Sequence, residues 1–211
     1  MTAWTVGEVA KVLGVGDGTE LAALWRIALL GGLPRGELLG LKWEDVDLDR
    51  GQLAIRRGLI RGNGGTWELG APKTASGRRT IALDRTCVAA LRKHRAAQNA
   101  ERLRLSAIWD DHGFIFTNET GGPLHPNTLV TRYKRLIEDA GVRVIRFHDM
   151  RHTCATLALI QGVHPKVVQE RLGHANIAMT LDRYSHVTEG LQRDAAESIA
   201  AVVEAARKAA S

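Results

Sequence analysis

The chain has 211 residues, 45% of them apolar, two cysteines and a formal net charge of +6, with a pI near 9.7. It contains no run of about 18 apolar residues, and its first residues show no secretory signal pattern, so we expect a cytoplasmic protein. Cys87 and Cys154 are too few for a disulfide framework or a zinc site. The positive charge favours an anionic partner, most commonly nucleic acid, over a protein that is merely basic.

The first part of the chain predicts three helices and then a small sheet. The helices are expected over residues 5–13, 19–30 and 34–41. The first opens on a threonine cap, and the second is apolar nearly all round, which predicts that it is buried. Alternating residues over 52–57 and 77–83 predict strands of an antiparallel sheet, and the glycine-rich turns between them predict a mobile hairpin.

The rest of the chain predicts mostly helix. Helices are expected over residues 84–104, 126–140, 148–161, 165–172, 176–184 and 188–208, with a short strand near Phe114. The inward-facing residues are predicted to be Val88, Leu91 and Leu103 on the first of these, and Leu129, Tyr133, Leu136 and Ile137 on the second. The last helix has only a thin apolar stripe of Ile199, Val202 and Val203, so it must pack on something. We expect one mainly α domain with a small antiparallel sheet (α+β), without a linker.

One predicted helix places two groups that bind phosphate well on the same face. His148 and Arg151 are three residues apart, which makes them neighbours on a helix surface. The planar guanidinium of arginine donates two parallel hydrogen bonds to phosphate oxygens. His152 is four residues after His148, a spacing that also suits a metal. No obvious third ligand and no zinc-protease glutamate accompany the pair, and a hydrogen-bonded core histidine is the plainer alternative.

Three further side chains complete a set that suits phosphodiester transfer. Lys73 lies in the glycine-rich hairpin, His174 follows a glycine, and Tyr184 comes ten residues after that histidine. The reaction needs a nucleophile, cations on the non-bridging oxygens and an acid for the leaving oxygen. Tyrosine can attack phosphorus, and a hairpin lysine can protonate a leaving 5′ oxygen. No carboxylate cluster is present to hold magnesium, so we expect a reaction without metal or cofactor.

Four motifs, in this order and spacing, resemble the catalytic domain of a tyrosine recombinase of the phage-integrase kind. They read GLPRGELLGLKWEDVDLD, APKTASGRRTIALD, HDMRHTCATL and LGHANIAMTLDRYSH, and they extend over nearly the whole chain. The resemblance implies that Tyr184 is the nucleophile that forms a 3′-phosphotyrosyl bond with DNA. It implies that Arg151 is the second catalytic arginine, with His148 and His174 as its histidine partners. Lys73 matches the hairpin lysine of the family.

The resemblance also implies the partners of the chain. It implies site-specific DNA recombination and integration by a bacterial or phage-encoded mobile element, with four protomers on two double-stranded DNA sites and a monomer in isolation. We expect residues 1–211 to be a single catalytic domain without the family's usual N-terminal core-binding domain, and we expect the tail over 188–211 to dock on a neighbouring protomer. The expected DNA contacts are Arg78, Arg79, Arg132 and Lys134. The alternative for each is a solvated basic side chain.

The first motif departs from the family pattern G-x-R-x-x-E. Three residues before Glu37 stands Pro34, where the family has its first phosphate-binding arginine. Arg35 follows one residue later, about 100° further round a helix. We therefore expect either a recombinase of reduced activity, in which Arg35 substitutes for the missing arginine, or a DNA-binding module that has lost catalysis, such as a prophage remnant or regulator. A helix-turn-helix repressor would leave Lys73, His148 and Tyr184 unexplained.

Overall fold

A computed structural model of the chain describes residues 3–62, 65–72, 74–181 and 191–209. The helices are α1 (Val6–Gly16), α2 (Ala22–Gly31), α3 (Arg35–Leu39), α4 (Arg85–Leu105), α5 (Pro126–Ala140), α6 (Asp149–Ile160), α7 (Pro165–Leu172) and α8 (Leu191–Ala209). The strands are β1 (Val46–Asp47), β2 (Gln52–Ile55), β3 (Gly58–Arg61), β4 (Trp67–Gly70) and β5 (Arg79–Ala82). This confirms a mainly α fold with small antiparallel sheets.

The core forms around α2, which packs against α1, α4 and α6. Seven of its ten residues are buried, and the half-buried Ala22, Arg26 and Leu30 lie four apart on one face, so the helix is buried nearly as fully as its apolar sequence predicts. The helix before it begins where its threonine signal predicts, because the Thr5 hydroxyl accepts from the Glu8 N–H and the Glu8 carboxylate accepts from the Thr5 N–H. This reciprocal pair satisfies two N–H groups that the first helical turn leaves without partners.

The strands form two separate sheets. Strands β1, β2 and β5 make one antiparallel sheet, with Leu53 opposite Ile81, while β3 and β4 pair only with each other. The β3–β4 hairpin packs directly on α3. A Cβ built on Gly40 would lie 2.7 Å from Gly58 Cα, and one built on Gly36 would lie 2.7 Å from the Leu59 carbonyl oxygen. Glycine at these positions therefore lets the backbones of helix and strand come into contact.

Helix α5 matches its prediction at both ends, and α4 matches on its inward face except at Leu103. The four residues predicted to face inward from α5 are all buried. On α4 Leu91 is buried and Val88 packs half-buried against the core, but Leu103 is 81% exposed. The prediction for Leu103 was wrong because the last turns of α4 extend beyond the apolar core. Polar side chains join the helix to the following segment, where His94 and Gln98 bind the backbone carbonyl of Ile115.

The last third of the described chain contains α6, α7 and α8. Both cysteines are free and buried, Cys154 being on α6. On α8 the stripe residues Ile199, Val202 and Val203 are all exposed. No helix among the described residues is long and apolar enough to cross a membrane.

Candidate DNA-cleavage site

Arg151 lies at the centre of the candidate site and joins three parts of the chain. Its side chain projects from α6 and the residue is only 8% exposed. Nη1 donates to the Gly32 carbonyl at 3.0 Å, and Nη2 donates to the Leu172 carbonyl at 2.5 Å. Gly32 has a φ of +67°, and a Cβ there would lie 2.8 Å from a Leu172 methyl group. The glycine therefore allows the α2–α3 turn to lie against the end of α7.

His174 lies two residues beyond the carbonyl that Arg151 holds. It follows Gly173, which ends α7 in the left-handed conformation with a φ of +70°. The imidazole is buried, and its Nδ1 lies 2.9 Å from the Thr180 hydroxyl oxygen. The backbone is held separately, since the His174 N–H donates to the Gln169 carbonyl at 3.1 Å. The structure thus brings His174 and Arg151 to the same end of α7.

His148 lies immediately before α6 and is exposed. Its ring centroid is 5.1 Å from that of the buried His152. The next residue, Asp149, accepts two hydrogen bonds from the Arg146 guanidinium at 2.8 and 3.0 Å. These bonds lower the pKa of the Asp149 carboxyl below its usual value. Within the described ranges, no third metal-binding side chain joins the two histidines.

A groove of about 950 Å³ connects the start of α3 to His148. Its lining includes Pro34 and Arg35 from the start of α3, and Lys134 from α5. Pro34 is the residue before α3, with φ −63° and ψ 154°, so the helix begins at Arg35, one residue later than predicted. The Arg35 guanidinium carbon lies 5.7 Å from the centroid of the Trp67 ring, which is within the range of a cation–π contact. Arg35 and His148 therefore border the same groove.

Arg79, one of the predicted DNA contacts, has a second set of partners inside the protein. Its side chain is 7% exposed and forms an ion pair with Glu37. Nη2 and Nη1 donate to the two carboxylate oxygens at 2.7 and 3.1 Å, and Nε donates to the Arg171 carbonyl at 2.8 Å. In the sequence, Glu37 served only to fix the position of Pro34 in the first motif. An acidic residue within an apolar motif was the available signal that it has a buried partner. A DNA contact by Arg79 stays a prediction.

The other predicted site residues occupy different surroundings. Lys134 is exposed beside the groove, and Arg78 is exposed after the turn that precedes β5. Arg132 forms an ion pair with Glu20, with Nη2 2.8 Å from Oε1. DNA contacts by these side chains stay predictions.

Lys73 and Tyr184 lie outside the described residues. The segment that follows Lys73 does reach the site. Ser76 Oγ donates to the Gly173 carbonyl at 3.4 Å, and a Cβ on Gly173 would lie 2.8 Å from the Ser76 carbonyl oxygen. The turn after Lys73 is therefore in contact with the turn that carries His174.

Sequence comparison now places the chain in a family. The phage integrase family model matches residues 9–190. A XerC-like tyrosine recombinase of Caldanaerobacter subterraneus is 34% identical over 203 residues, which is 91% of this chain and 52% of that protein. The integrase of Staphylococcus phage L54a is 28% identical and is covered to the same 52%. The chain belongs to the phage integrase family, as its motifs predict, and it spans about half the length of these relatives.

Solved structures share the fold. The Tn1549 transposon integrase, solved in complex with transposon right end DNA, superposes with a TM-score of 0.78 at 25% identity, covering 94% of this chain and 66% of that one. The catalytic domain of bacteriophage HP1 integrase gives a TM-score of 0.59 at 17% identity, covering 93% of this chain and 94% of that one. The architecture described above is thus that of tyrosine recombinase catalytic domains.

Proposed function

We propose that this chain cleaves and rejoins DNA strands through a 3′-phosphotyrosine intermediate on Tyr184, as the catalytic part of a site-specific recombinase. The observation that carries the proposal is the position of Arg151, held between Gly32 and Leu172. Those two hydrogen bonds bring together the GLPRGELL motif, which begins at Gly32, the HDMRHT motif at the start of α6 and the turn that carries His174. Membership of the phage integrase family supports the same reaction.

The reaction has two reversible steps. Tyr184 attacks the scissile phosphorus, a tyrosyl–phosphate bond forms, and the bond to the 5′ oxygen breaks. Lys73 gives that oxygen its proton, and Arg151, His148 and His174 stabilise the negative charge on the non-bridging oxygens. A 5′-hydroxyl from a partner strand then attacks the phosphotyrosine and releases the tyrosine. The phosphotyrosyl linkage conserves the energy of the broken bond, so the reaction needs no ATP.

Pro34 supports a reduced rate for this reaction. The carbonyl of Gly32, two residues earlier, accepts a hydrogen bond from Arg151, so the family's first arginine position borders the site. Arg35 lines the same groove as His148, and we propose that it supplies part of the missing charge. The same observation favours a second candidate function, a DNA-binding module that has lost catalysis.

The proposed partner is double-stranded DNA at a recombination site in a bacterial cytoplasm. We propose that the chain is a monomer in isolation and that four protomers assemble on two sites. The exposed stripe of α8 supports docking of the tail on a neighbouring protomer, because apolar side chains on one helix face are stabilised by packing.

Trapping on nicked suicide DNA tests the proposed function. We expect a covalent protein–DNA complex whose DNA-linked peptide contains Tyr184, and we expect Tyr184→Phe to bind DNA without forming it. The matched control is Tyr133→Phe. Tyr133 is the only other tyrosine, it is buried, and its hydroxyl donates to the Ile145 carbonyl at 3.2 Å. The control should still form the complex.

The possible outcomes separate the two candidate functions. A label on Tyr133 would overturn the assignment of the nucleophile. DNA binding by the unmodified chain without any covalent product would favour the module that has lost catalysis.

A further inference from the structure

Thr180 is a fully buried threonine whose hydroxyl faces a residue of the candidate site. It is one of the helical residues 178–181, and its Oγ1 is 2.9 Å from Nδ1 of His174. Thr180 is 0% exposed and His174 is 7% exposed. The two nitrogens of an imidazole lie on different edges of the ring. A partner fixed at Nδ1 therefore sets the direction in which Nε2 points.

The backbone around this pair is held without the threonine hydroxyl. Gln169 binds His174 at both backbone groups, accepting from its N–H and donating Nε2 to its carbonyl. The helical segment has its own cap, because the Ala178 N–H donates to the Asn176 side chain at 2.8 Å. The Thr180 N–H donates to the Ile177 carbonyl at 2.9 Å. Removing the hydroxyl should therefore take away the hydrogen bond at Nδ1 of His174 and leave the turn in place.

We propose that Thr180 is a positioning residue that orients the His174 imidazole toward the scissile phosphate. This inference rests on the proposed function, in which His174 stabilises the phosphate. A hydroxyl suits the task because it both donates and accepts. It can keep its hydrogen bond to Nδ1 when the imidazole is neutral and when it is protonated. The ring then keeps one orientation through cleavage and rejoining.

Three variants test the inference. Thr180→Val keeps the side-chain shape and removes the hydroxyl, while Thr180→Ser keeps the hydroxyl. Thr153→Val is the matched control. Thr153 is also a threonine of 0% exposure, and its Oγ1 accepts from the Trp4 N–H and donates to the Asp149 carbonyl. Thr153→Val therefore removes a buried hydroxyl of the same kind, whose hydrogen bonds go to Trp4 and Asp149 and not to His174.

The measurements are the rate of covalent complex formation on suicide DNA and the ¹⁵N signals of histidine, with His174 identified by its loss in His174→Gln. We expect Thr180→Val to cleave at least about tenfold more slowly, as displaced reacting groups do, and to shift the His174 signals. Thr180→Ser should restore the rate and the signals. Thr153→Val should leave the His174 signals unchanged and should slow cleavage only as far as it reduces the folded fraction.

Two outcomes would overturn the inference alone. One is a Thr180→Val variant that cleaves like the unmodified chain. The other is slow cleavage with unshifted His174 signals, as a merely structural loss would give. Failure of the unmodified chain to form any covalent complex would instead overturn the proposed function, and the inference with it.

Discussion

Two buried arginines show what a motif can and cannot predict about a single residue. Arg151 is singled out by the spacing of its motif, and its guanidinium binds the carbonyls of Gly32 and Leu172, while its role at the phosphate stays a prediction. Arg79 also lies in a basic motif, but its carboxylate partner Glu37 is 42 residues away in the sequence. No local pattern reports a pairing over that distance. Spacing along the sequence therefore identifies candidate site residues, whereas tertiary contacts decide which arginines have buried partners.

The effect of Pro34 can be tested by restoring the family's arginine. Pro34→Arg should raise the rate of covalent complex formation by at least tenfold, or about 1.4 kcal/mol in the activation free energy, because a further cation stabilises the transition-state phosphate. The backbone accepts the change, since φ −63° and ψ 154° are allowed for arginine. The measurement is the single-turnover rate on suicide DNA beside a binding titration, in which affinity should change little.

Pro34→Ala is the matched control, because it removes the ring without adding a guanidinium. It should cleave at the rate of the unmodified chain. If Pro34→Arg is no faster and Arg35→Ala abolishes cleavage, then Arg35 already supplies the first arginine and the position assigned from Glu37 is wrong.

At the scale of elements, the sequence predicts helices well where an apolar face and a cap agree. Helices α5 and α7 begin and end as predicted, each with proline in its first turn and glycine immediately after its last residue. Helix α4 begins on the side-chain cap of Asp84 and ends without a glycine, its apolar face is weaker, and the prediction for Leu103 was wrong. The separate β3–β4 sheet was also not foreseen, because its position depends on the glycine contact with α3 rather than on strand periodicity.

The stabilising effect of the Asp84 cap at the start of α4 can be tested by its dependence on pH. The Asp84 carboxylate accepts from the N–H groups of Thr86 and Cys87 at 2.8 and 3.1 Å. Burial opposes its ionisation, but these hydrogen bonds outweigh burial and lower the pKa of Asp84 to about 2. Since its pKa is lower in the folded chain than in the unfolded chain, the ionised cap stabilises the fold at neutral pH. That contribution is lost as the pH falls from about 4 toward 2.

We expect Asp84→Ala to reduce the free energy of unfolding by about 1 kcal/mol at pH 7. The difference from the unmodified chain should narrow as the pH is lowered through this window in urea titrations. Asp84→Asn keeps a capping oxygen without a charge, so its stability should lack this pH-dependent part. An Asp84→Ala difference that stays constant down to the lowest pH at which the chain folds would contradict the assigned role of the ionised cap.

At the scale of the whole molecule, the net charge of +6 predicts weak and salt-sensitive DNA binding by this chain. Contacts between lysine or arginine and phosphate release counterions, so affinity falls as salt rises. Lys134→Ala should lower affinity and reduce the slope of log affinity against log salt by about one. Lys11→Ala is the matched control, because Lys11 is an exposed lysine of α1 that does not line the groove. An affinity independent of salt would contradict the prediction.

The exposed stripe of α8 provides the test of assembly. Val202 is 71% exposed and lies between Ile199 and Val203 on the helix face, so a charge there removes nothing from the core of the described chain. Val202→Asp should leave the unfolding free energy of the isolated chain within about 0.5 kcal/mol of its original value. If the tail docks on a neighbour, the same variant should reduce assembly on DNA that carries two sites, as measured by sedimentation.

The control is Ala201→Asp, which adds the same charge on the side of α8 opposite the stripe and should assemble normally. A Val202→Asp chain that assembles as well as this control would show that the stripe makes no contact between protomers. One that unfolds at a lower temperature without DNA would place the stripe against its own chain.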